Sequence, residues 1–550
     1  MDSSHATPVR LGDYLIERRS ALGVAHMFGV PGDFVLSFMS ILDHADSPIQ
    51  LVGTCDEQGA GFAADAYARI MGIGACCVTY GVGGLKVANS AGQAYAEKSP
   101  VVYISGGPGK AELARNPLIH HRIRDFNTQL RVFDQLTVAA AIIDDLETAC
   151  RDIDRILHTC LRESRPVYIE LPRDLVMTEV PRWPAQAQAP RSSEPASLRA
   201  AIDDVVGTLE AAKHPVFVVG VEVSRFGVDR LVQRLIERTG APFVTTMLGK
   251  SALSETHPQF AGVYAGAMGA EATRRYVEQS DCIILLGAIL NDLNLGGHTA
   301  HLDRALEIDL SVQHVGVGYR TYADVWVGDV LRALADTNLP VWQAGDHPRP
   351  CKPVVAQVSP ETPVTNAALI DRLSNWLDAN TVVIADPGDA LFGSIDLVVA
   401  EGEEFLSSAY YASLGFAVPA AVGVKFARPD RRPLVLVGDG AFQMTGMEFS
   451  TALHHGQNPV VILLNNDGYT TERLILEGGF NDILRWNYHR LPEVWGRGVG
   501  VQVRTMGELD DALAAAKHDT DNAWLIEVML ERRDFSPALR RLGEALAISS

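Results

Sequence analysis

The chain has 550 residues, a length that predicts about three domains, and its 47% apolar and 21% charged residues are typical of a well-packed protein. Its formal net charge of −20 argues against binding to nucleic acid or to an anionic membrane surface. The longest apolar runs, such as residues 282–290, are too short to span a membrane. Residues 1–10 lack the apolar core of a signal peptide and the seven cysteines are scattered, so we expect a cytoplasmic protein.

Short apolar runs alternate with amphipathic stretches along the whole chain, which predicts βαβ units and parallel sheets. The predicted strands form three sets: residues 25–30, 50–53, 75–80, 101–105 and 167–171; residues 216–221, 243–247, 282–287 and 306–310; and residues 382–385, 434–437, 460–464 and 524–529. Two proline-rich stretches, residues 181–197 and 339–363, separate the sets and are expected to be linkers. The sequence therefore predicts three doubly wound α/β domains with parallel sheets, and ligands beyond the carboxyl ends of the strands.

Domains of this kind first suggest a dinucleotide-dependent dehydrogenase. The one loose match to the glycine fingerprint, Gly59-x-Gly61-x-x-Ala64, is separated from its strand by polar residues and has no acidic residue about 20 positions further on. Residues 249–251 resemble the end of a phosphate-binding loop, but Val244 stands where the leading glycine belongs. Both observations disfavour this class.

The clearest chemical pattern lies after two predicted strands of the third domain. Gly438, Asp439 and Gly440 follow one strand, and residues 465–468, which include Asn466 and Gly468, follow the next. A carboxylate, an amide and a turn carbonyl are hard oxygen ligands suited to Mg²⁺ that also grips a diphosphate, and the glycines let the backbone approach phosphates. Each sequence alone is an ordinary turn, but their pairing after two buried strands favours a metal and diphosphate site.

This pairing resembles the diphosphate and Mg²⁺ signature of thiamine diphosphate enzymes. The resemblance covers essentially the whole chain and implies a pyrimidine-binding domain (residues 1–180), a central domain (198–338) and a diphosphate- and Mg²⁺-binding domain (364–550). It implies thiamine diphosphate and Mg²⁺ as cofactors, with the metal held by Asp439, Asn466 and the carbonyl of Gly468, and with Gly438 and Gly440 at the cofactor.

The resemblance also assigns residues outside these two turns. Glu57 falls where the family places the acid that binds the aminopyrimidine ring and promotes its imino form; the alternative is a helix-capping acid. Leu414 falls where a bulky apolar residue holds the cofactor bent. Thr79, Gly388 and Asp389 fall where family members border the cofactor.

Asp33, the adjacent His120 and His121, and Glu472 resemble the acid–base set of the pyruvate, indolepyruvate and phenylpyruvate decarboxylases. From the sequence alone, two neighbouring histidines are more often surface residues. The resemblance implies that these groups carry the proton transfers that follow loss of CO₂. Carboligating and oxidising members generally lack this set, so we expect non-oxidative decarboxylation of a 2-oxo acid to an aldehyde and CO₂.

Departures from the pyruvate-specific members favour a bulkier substrate. Residues 386–390 read Asp-Pro-Gly-Asp-Ala where those members have Glu-Thr-Gly-Thr-Ser, and Thr471 stands where they have isoleucine. The chain is most similar to bacterial phenylpyruvate and indolepyruvate decarboxylases, so we expect a 2-oxo acid with an aromatic or bulky side chain. A pyruvate-preferring decarboxylase and an acetolactate synthase-like carboligating or oxidising enzyme remain open alternatives.

The resemblance implies assembly as well. Family members are homodimers or homotetramers whose active sites lie at the subunit interface, between the first domain of one copy and the third domain of the other. We therefore expect a second copy of the chain and a small 2-oxo acid as partners, with no nucleic acid and no membrane.

Overall fold

The computed structural model describes residues 8–182, 191–312, 314–343 and 345–549. The chain forms two compact units, Met1–Gln188 with Gly415–Arg431 and Thr445–Gln457, and Ala189–Leu414 with Arg432–Met444 and Asn458–Ser550. Three large sheets flanked by helices are present, which confirms the predicted fold class of three α/β domains.

The first unit contains a parallel six-stranded sheet. Its strands are β2 (His26–Gly29), β3 (Gln50–Gly53), β4 (Gly74–Val78), β5 (Val101–Gly107), β6 (Ala140–Ile142) and β7 (Val167–Pro172), in the order β3-β2-β4-β5-β7-β6, while β1 (Val9–Arg10) and β8 (Glu179–Val180) form a small antiparallel pair. The helices are α1 (Leu11–Ala21), α2 (Leu36–Leu42), α3 (Glu57–Met71), α4 (Val82–Lys86), α5 (Ala88–Ala96), α6 (Lys110–Leu113), α7 (Thr128–Leu136) and α8 (Ala149–Glu163).

The central sheet belongs to the second unit and has seven strands. These are β9 (Pro215–Val219), β10 (Phe243–Thr246), β11 (Phe260–Tyr264), β12 (Cys282–Leu286), β13 (Glu307–Leu310), β14 (Val315–Val317) and β15 (Arg320–Tyr322), in the order β11-β10-β9-β12-β13-β14-β15. The β13–β14 and β14–β15 pairs are antiparallel, an edge that the sequence did not predict. The helices are α9 (Pro195–Ala211), α10 (Glu222–Arg225), α11 (Asp229–Thr239), α12 (Glu271–Glu278) and α13 (Val327–Asp336), with a 3₁₀ turn at Arg304–Leu306.

The third sheet is parallel and six-stranded. Its strands are β16 (Thr381–Ala385), β17 (Glu404–Ser407), β18 (Arg432–Gly438), β19 (Val460–Asn465), β20 (Val499–Val503) and β21 (Trp524–Met529), in the order β17-β16-β18-β19-β21-β20. The helices in this part of the chain are α14 (Asn366–Trp376), α15 (Asp389–Gly393), α16 (Ala417–Ala427), α17 (Asp439–Thr445), α18 (Glu448–His454), α19 (Thr470–Ile475), α20 (Leu491–Trp495), α21 (Met506–His518) and α22 (Pro537–Ser549), with 3₁₀ turns at Ser394–Asp396, Gly479–Asn481 and Tyr488–Arg490. Of these, α16 and α18 belong to the first unit.

The first and third sheets share one strand order, since each runs second, first, third, fourth, sixth, fifth along the chain. In a parallel sheet with this order, the crossover direction reverses beside the first strand, which opens a crevice at the carboxyl ends there. The strands beside that crevice are β2 and β4 in one sheet and β16 and β18 in the other. Each sheet therefore offers one ligand site.

Helix α3 shows how local sequence and packing build the first unit. It begins after Asp56, whose carboxylate accepts a hydrogen bond from the Gln58 N–H at 2.8 Å. Its small side chains let α16, from later in the chain, approach closely within the same unit, and a Cβ added at Gly423 would lie 2.0 Å from the carbonyl oxygen of Ala63. Gly59 and Gly61 lie inside this buried helix, so the loose dinucleotide fingerprint is not a phosphate-binding turn.

The two expected linkers differ. In the described residues between 340 and 362 there is no helix or strand, as predicted. The other linker was predicted too long, because α9 already begins at Pro195. The Glu194 carboxylate caps this helix by accepting hydrogen bonds from the N–H groups of Ala196 and Ser197, and proline is favoured in a first turn.

No helix in the described part of the chain is long and apolar enough to cross a membrane.

Candidate active site

The two glycine-rich turns of the third domain lie side by side. They follow β18 and β19, which are neighbouring parallel strands. The Asp439 carboxylate accepts a hydrogen bond from the Gly440 N–H at 2.7 Å and another from the Gly468 N–H at 3.0 Å. Asp439 is thereby fixed against the second turn, which is the juxtaposition that the strand-end argument predicts.

The oxygen atoms of this pair have the character of cation ligands. Asp439 is only 1% exposed, and burial raises the pKa of its carboxyl to about 6. Asn466 is buried, and its side-chain oxygen has no hydrogen-bond partner among the described residues. Gly468 has a φ of +126°, and a Cβ there would lie 2.0 Å from the carbonyl oxygen of Asn481, so the turn requires glycine. A buried carboxylate beside a buried amide oxygen that lacks a partner in the described residues fits a hard divalent cation such as Mg²⁺.

A cavity of about 740 Å³ opens at these turns. It lies within the second unit and brings together most of the residues assigned there from the sequence. Those at its wall are Gly388, Asp389, Leu414, Gly438, Asp439, Gly440, Asn466, Gly468 and Glu472. Much of the remaining wall is apolar and includes Leu293, Phe392, Leu474, Ile475, Leu542 and Leu546.

Asp389 supplies a second buried carboxylate to this cavity. One of its oxygens accepts hydrogen bonds from the Asn366 side chain at 3.1 Å and from the Ser536 N–H at 2.9 Å. Its other oxygen has no partner in the part of the chain that the structure describes, and burial raises the pKa of the carboxyl to about 6. The sequence did not identify Asn366 and Ser536, because these contacts join distant parts of the third domain.

Glu472 lies in the short helix α19 and is exposed at the cavity, beside the half-buried Thr471. Arg473 is buried, donating to Glu477 at 2.6 Å and to Asp482 at 2.5 Å. The helix therefore leaves Glu472 free of these ion pairs and available at the cavity.

Glu57 is the first residue of α3 in the first unit. The helix cap is its neighbour Asp56, so capping is not the role of Glu57. The Glu57 carboxylate is 2.9 Å from the ammonium group of Lys86, which also contacts Asp56. The buried Glu448 carboxylate accepts the Asp56 N–H at 3.0 Å and so holds the segment that leads into the helix. Neither Lys86 nor Glu448 was found from the sequence, because both contacts are distant along the chain.

Asp33, His120 and His121 meet in the first unit. The nitrogen and oxygen atoms that they could offer to one ion all lie within 4.8 Å of one another. His120 Nε2 is 3.0 Å from an Asp33 carboxylate oxygen, and the His120 and His121 rings are 4.6 Å apart. His121 has a φ of +67°, and its buried Nδ1 lacks a partner among the residues described. His120 and Asp33 are exposed and His121 is half-buried, but the three contact one another, unlike independent surface residues.

Two further residues adjoin this cluster. Thr79 is buried below Gly32, where an added Cβ would lie 2.4 Å from the Thr79 Cβ, and its hydroxyl has no hydrogen-bond partner in the described residues. Arg173, which was not predicted, is 3.5 Å from Asp33 and stacks 4.8 Å above the Phe34 ring while pairing with Glu112. Arg173 directly follows β7, so the expectation that ligands lie beyond the carboxyl ends of strands could have identified it from the sequence.

The comparisons with known proteins agree with this organisation. Three family models match the chain: "Thiamine pyrophosphate enzyme, N-terminal TPP binding domain" over residues 9–129, the corresponding central domain over 202–336, and the C-terminal TPP binding domain over 393–528. Together with the fold and the cavity, they define a thiamine diphosphate enzyme.

Similar curated proteins narrow the class. The chain is 35% identical to an alpha-keto-acid decarboxylase of Mycobacterium avium (strain 104), covering 98% of this chain and 97% of that protein. It is 36% identical to an indole-3-pyruvate decarboxylase of Azospirillum brasilense, covering 97% of each, and 36% identical to an alpha-keto-acid decarboxylase of Mycobacterium tuberculosis (strain ATCC 25618 / H37Rv), covering 98% and 97%. The chain therefore belongs to the family of thiamine diphosphate-dependent 2-oxo acid decarboxylases.

Proposed function

We propose that the protein converts 2-oxo acids with a bulky or aromatic side chain, such as phenylpyruvate or indolepyruvate, to CO₂ and the corresponding aldehyde without oxidation. The observation that carries this proposal is the pairing of Asp439 with the Asn466–Gly468 turn at a large, mainly apolar cavity. The similarity to a protein named as an indole-3-pyruvate decarboxylase supports the substrate class.

Asp439, Asn466 and the carbonyl of Gly468 would hold Mg²⁺, with Gly438 and Gly440 close to the diphosphate. Two observations support Mg²⁺ at this position. The Asn466 side-chain oxygen is buried without a partner among the described residues, and the Asp439 carboxylate is also buried. A cation at this point would offset the burial of the carboxylate.

Bound thiamine diphosphate supplies the carbon nucleophile that attacks the 2-oxo group and the ring that takes up the electron pair when CO₂ leaves. Glu57 would bind the aminopyrimidine ring and exchange a proton with its ring nitrogen. Leu414 would hold the cofactor bent, and Thr79, Gly388 and Asp389 would border it.

The chain's own acids and bases would carry the remaining proton transfers. Asp33 and His120 share one hydrogen bond of 3.0 Å and can hold a proton between them. His121, packed against His120, and Glu472, exposed at the cavity, would protonate the carbon left after CO₂ departs and then deprotonate the hydroxyl.

We further propose that the chain assembles as a homodimer or a homotetramer, and that each active site takes its Asp33 and Glu57 set from one copy and its Asp439 set from another. Ile475, Leu476, Phe480 and Leu484, which follow Glu472 in the chain, are exposed apolar side chains that a second copy would cover.

Co-expression of differently tagged Glu57→Gln and Asp439→Ala copies tests the assembly. Each variant alone should be inactive, while mixed dimers have one intact site, so random pairing should restore about a quarter of wild-type activity. Glu57→Gln paired with a copy that carries both substitutions should stay inactive. If isolated mixed dimers have no more activity than the single variants, sites shared between copies are excluded.

We also propose a cytoplasmic location. The seven cysteines all lie in the described part of the chain and none of them forms a disulfide, even the adjacent, buried Cys76 and Cys77, as expected in a reducing compartment. Fractionation of the native cells should recover the protein with the cytoplasmic markers, and recovery in the secreted fraction would contradict this.

Steady-state kinetics on pyruvate, a branched 2-oxo acid, phenylpyruvate and indolepyruvate tests the substrate class. We expect the aromatic acids to have the higher kcat/KM. Thr471 lies at the cavity beside Glu472. Thr471→Ile should therefore raise the kcat/KM for pyruvate relative to that for phenylpyruvate by about 10- to 100-fold, which is the discrimination that one or two methylene groups give in an apolar pocket. Thr159→Ile, on α8 in the first unit, is the control. A wild-type protein that prefers pyruvate would refute the substrate class while leaving the decarboxylase function intact.

A further inference from the structure

A chain of buried polar side chains runs through the first sheet, beneath the Asp33 and histidine cluster. The Gly81 N–H donates to the Gln129 side-chain oxygen at 2.7 Å, and the Gln129 amide donates to Tyr168 and, at 2.9 Å, to Ser105. The Tyr168 hydroxyl donates to Glu170 at 2.7 Å. Gln129, Tyr168 and Glu170 are all at most 3% exposed.

Donor chemistry fixes the direction of this chain. The Gly81 N–H can only donate, so the Gln129 oxygen must face it and the amide NH₂ must face Ser105 and Tyr168. The Ser105 hydroxyl gives its proton to a backbone carbonyl at 2.8 Å. The Tyr168 proton is then left for Glu170, which is the final acceptor.

One end of the chain lies under His121. Gly81 has a φ of +70°, and a Cβ there would lie 2.6 Å from the His121 carbonyl oxygen and 2.7 Å from its Cβ. Gly84, in the helix α4 that begins directly after Gly81, packs just as closely on Gln129, where an added Cβ would lie 2.2 Å from the side-chain oxygen. A shift of Gln129 would therefore move the turn on which His121 rests.

The other end lies under Phe34, next to Asp33. The Glu170 carboxylate packs on Gly107, where an added Cβ would lie 2.9 Å from its oxygen. The adjoining Gly106 packs against the Phe34 backbone, with an added Cβ 2.0 Å from the Phe34 carbonyl oxygen. The Phe34 ring in turn contacts both histidines, at 5.0 and 5.8 Å between ring centres.

We propose that Gln129, Tyr168 and Glu170 are positioning residues that hold the Gly81 turn and the Phe34 segment, and so fix His121 relative to Asp33 and His120. This inference rests on the proposed function, in which His121 transfers a proton to the substrate. None of the three residues need touch the substrate.

The burial of Glu170 supports a role beyond packing. Burial raises the pKa of its carboxyl to about 7, which the hydrogen bond from Tyr168 only partly opposes. An apolar residue at this place would avoid the cost of burying a carboxyl. An acid at this position is explained if it accepts the hydrogen bond from the Tyr168 hydroxyl and so keeps all the hydrogen bonds from Gly81 to Glu170 in one direction.

The test compares two tyrosines that are partners in neighbouring strands. Tyr168 and Tyr103 face each other in register and are both buried, but the Tyr103 hydroxyl is 3.3 Å from Ser90 and lies outside the chain to Gly81. We expect Tyr168→Phe to lower kcat with an aromatic 2-oxo acid by about tenfold to a hundredfold, as misplacement of a reacting group does, with little change in KM or cofactor content. Tyr103→Phe should leave kcat unchanged.

Conservative rescue and a signal from the free protein complete the test. Glu170→Gln keeps an oxygen acceptor for Tyr168 and should retain most of the activity, whereas Glu170→Leu should not. In cofactor-free protein with ¹³C-labelled histidine, the His121 ring signal, assigned by its loss in His121→Gln, should shift in Tyr168→Phe but not in Tyr103→Phe. If Tyr168→Phe does not fold, Gln129→Met breaks the same chain at its other end and should give the same shift.

The outcomes separate the two proposals. An unshifted His121 signal, or a kcat equal to that of Tyr103→Phe in an active wild-type background, would overturn the positioning role alone. Absence of decarboxylation by the wild type would overturn the proposed function, while the His121 signal would still report whether the chain positions that residue.

Discussion

At the residue scale, Asp439 is the buried carboxylate that would face the divalent cation. We expect Asp439→Ala to weaken retention of thiamine diphosphate in the presence of Mg²⁺ by at least a hundredfold, since even an outer partner of a metal ligand is worth about 10- to 100-fold. The amount of cofactor that stays with the protein through gel filtration measures this, with Glu477→Ala, a substitution of an exposed acid five residues after Glu472, as the control. Stoichiometric cofactor in Asp439→Ala would remove Asp439 from the metal site.

Arg19 presents a different residue-scale feature, because it is a fully buried cation. None of its three guanidinium nitrogens has a hydrogen-bond partner among the described residues, and burial lowers its pKa to about 10. We expect Arg19→Met to raise the Tm of the cofactor-free protein, because it removes a buried charge that has no ion-pair partner among the described residues; replacing even a buried ion pair by apolar side chains is often neutral or stabilising by about 1–4 kcal/mol.

Arg69 is the matched control for Arg19. It is also buried, but it pairs with Asp65 and Glu97, each at 2.8 Å. Arg69→Met should therefore lower the Tm, since breaking a buried ion pair costs about 3–5 kcal/mol. Equal losses in both variants would show that Arg19 has stabilising contacts of its own.

Residues that follow a strand could be located from the sequence, and those that support them could not. Asp439 and Asn466 stand directly after apolar runs, so their meeting follows from the parallel sheet. Lys86 and Glu448 reach the Glu57 segment through tertiary contacts that no local pattern records. The capping alternative for Glu57 was excluded only by the structure, in which its neighbour Asp56 caps α3.

At the element scale, every strand predicted from an apolar run is present, and the missed strands lie mostly at sheet edges. The edge strands β6, β11, β15, β17 and β20 were not predicted. Most residues of β6 and β20 are only partly buried and two of the three residues of β15 are exposed, so these strands lack the continuous apolar run of an interior strand. Burial does not explain every case, because the edge strand β3 was predicted although it is mostly exposed or half-buried, and β11 was missed although all of its residues are buried.

The contact between α3 and α16 makes an element-scale prediction with an internal control. A Cβ at Gly423 would lie 2.0 Å from the Ala63 carbonyl oxygen, so Gly423→Ala must push the helices apart and should cost about 1–3 kcal/mol. Gly207, inside α9, has no atom within 4 Å of an added Cβ among the described residues, so Gly207→Ala should stabilise its helix by up to about 1 kcal/mol. Thermal unfolding of both variants tests this, and a Tm that changes in the same direction in both would contradict the close approach.

At the scale of the whole molecule, the sequence predicts the number and class of the sheets but not their strand order. Parallel strands joined by helices could be arranged in several ways, and the identical order of the first and third sheets becomes visible only in the structure. That order sets the crevices beside β2 and β16, and hence where Asp33 and Gly388 lie. The antiparallel edge of the central sheet could not be predicted either, because β14 and β15 have only three residues each and so show no recognisable apolar run.

One measurement tests the central claim most directly: the products formed from phenylpyruvate by the purified protein with thiamine diphosphate and Mg²⁺, under anaerobic conditions and without an electron acceptor. We expect CO₂ and phenylacetaldehyde in equal amounts, and neither product after the cofactor and metal are removed. Non-oxidative chemistry requires this balance, because the carbon that loses CO₂ gains only a proton. Turnover that needs an electron acceptor, or CO₂ matched by a carbon–carbon coupled product in place of the aldehyde, would contradict it.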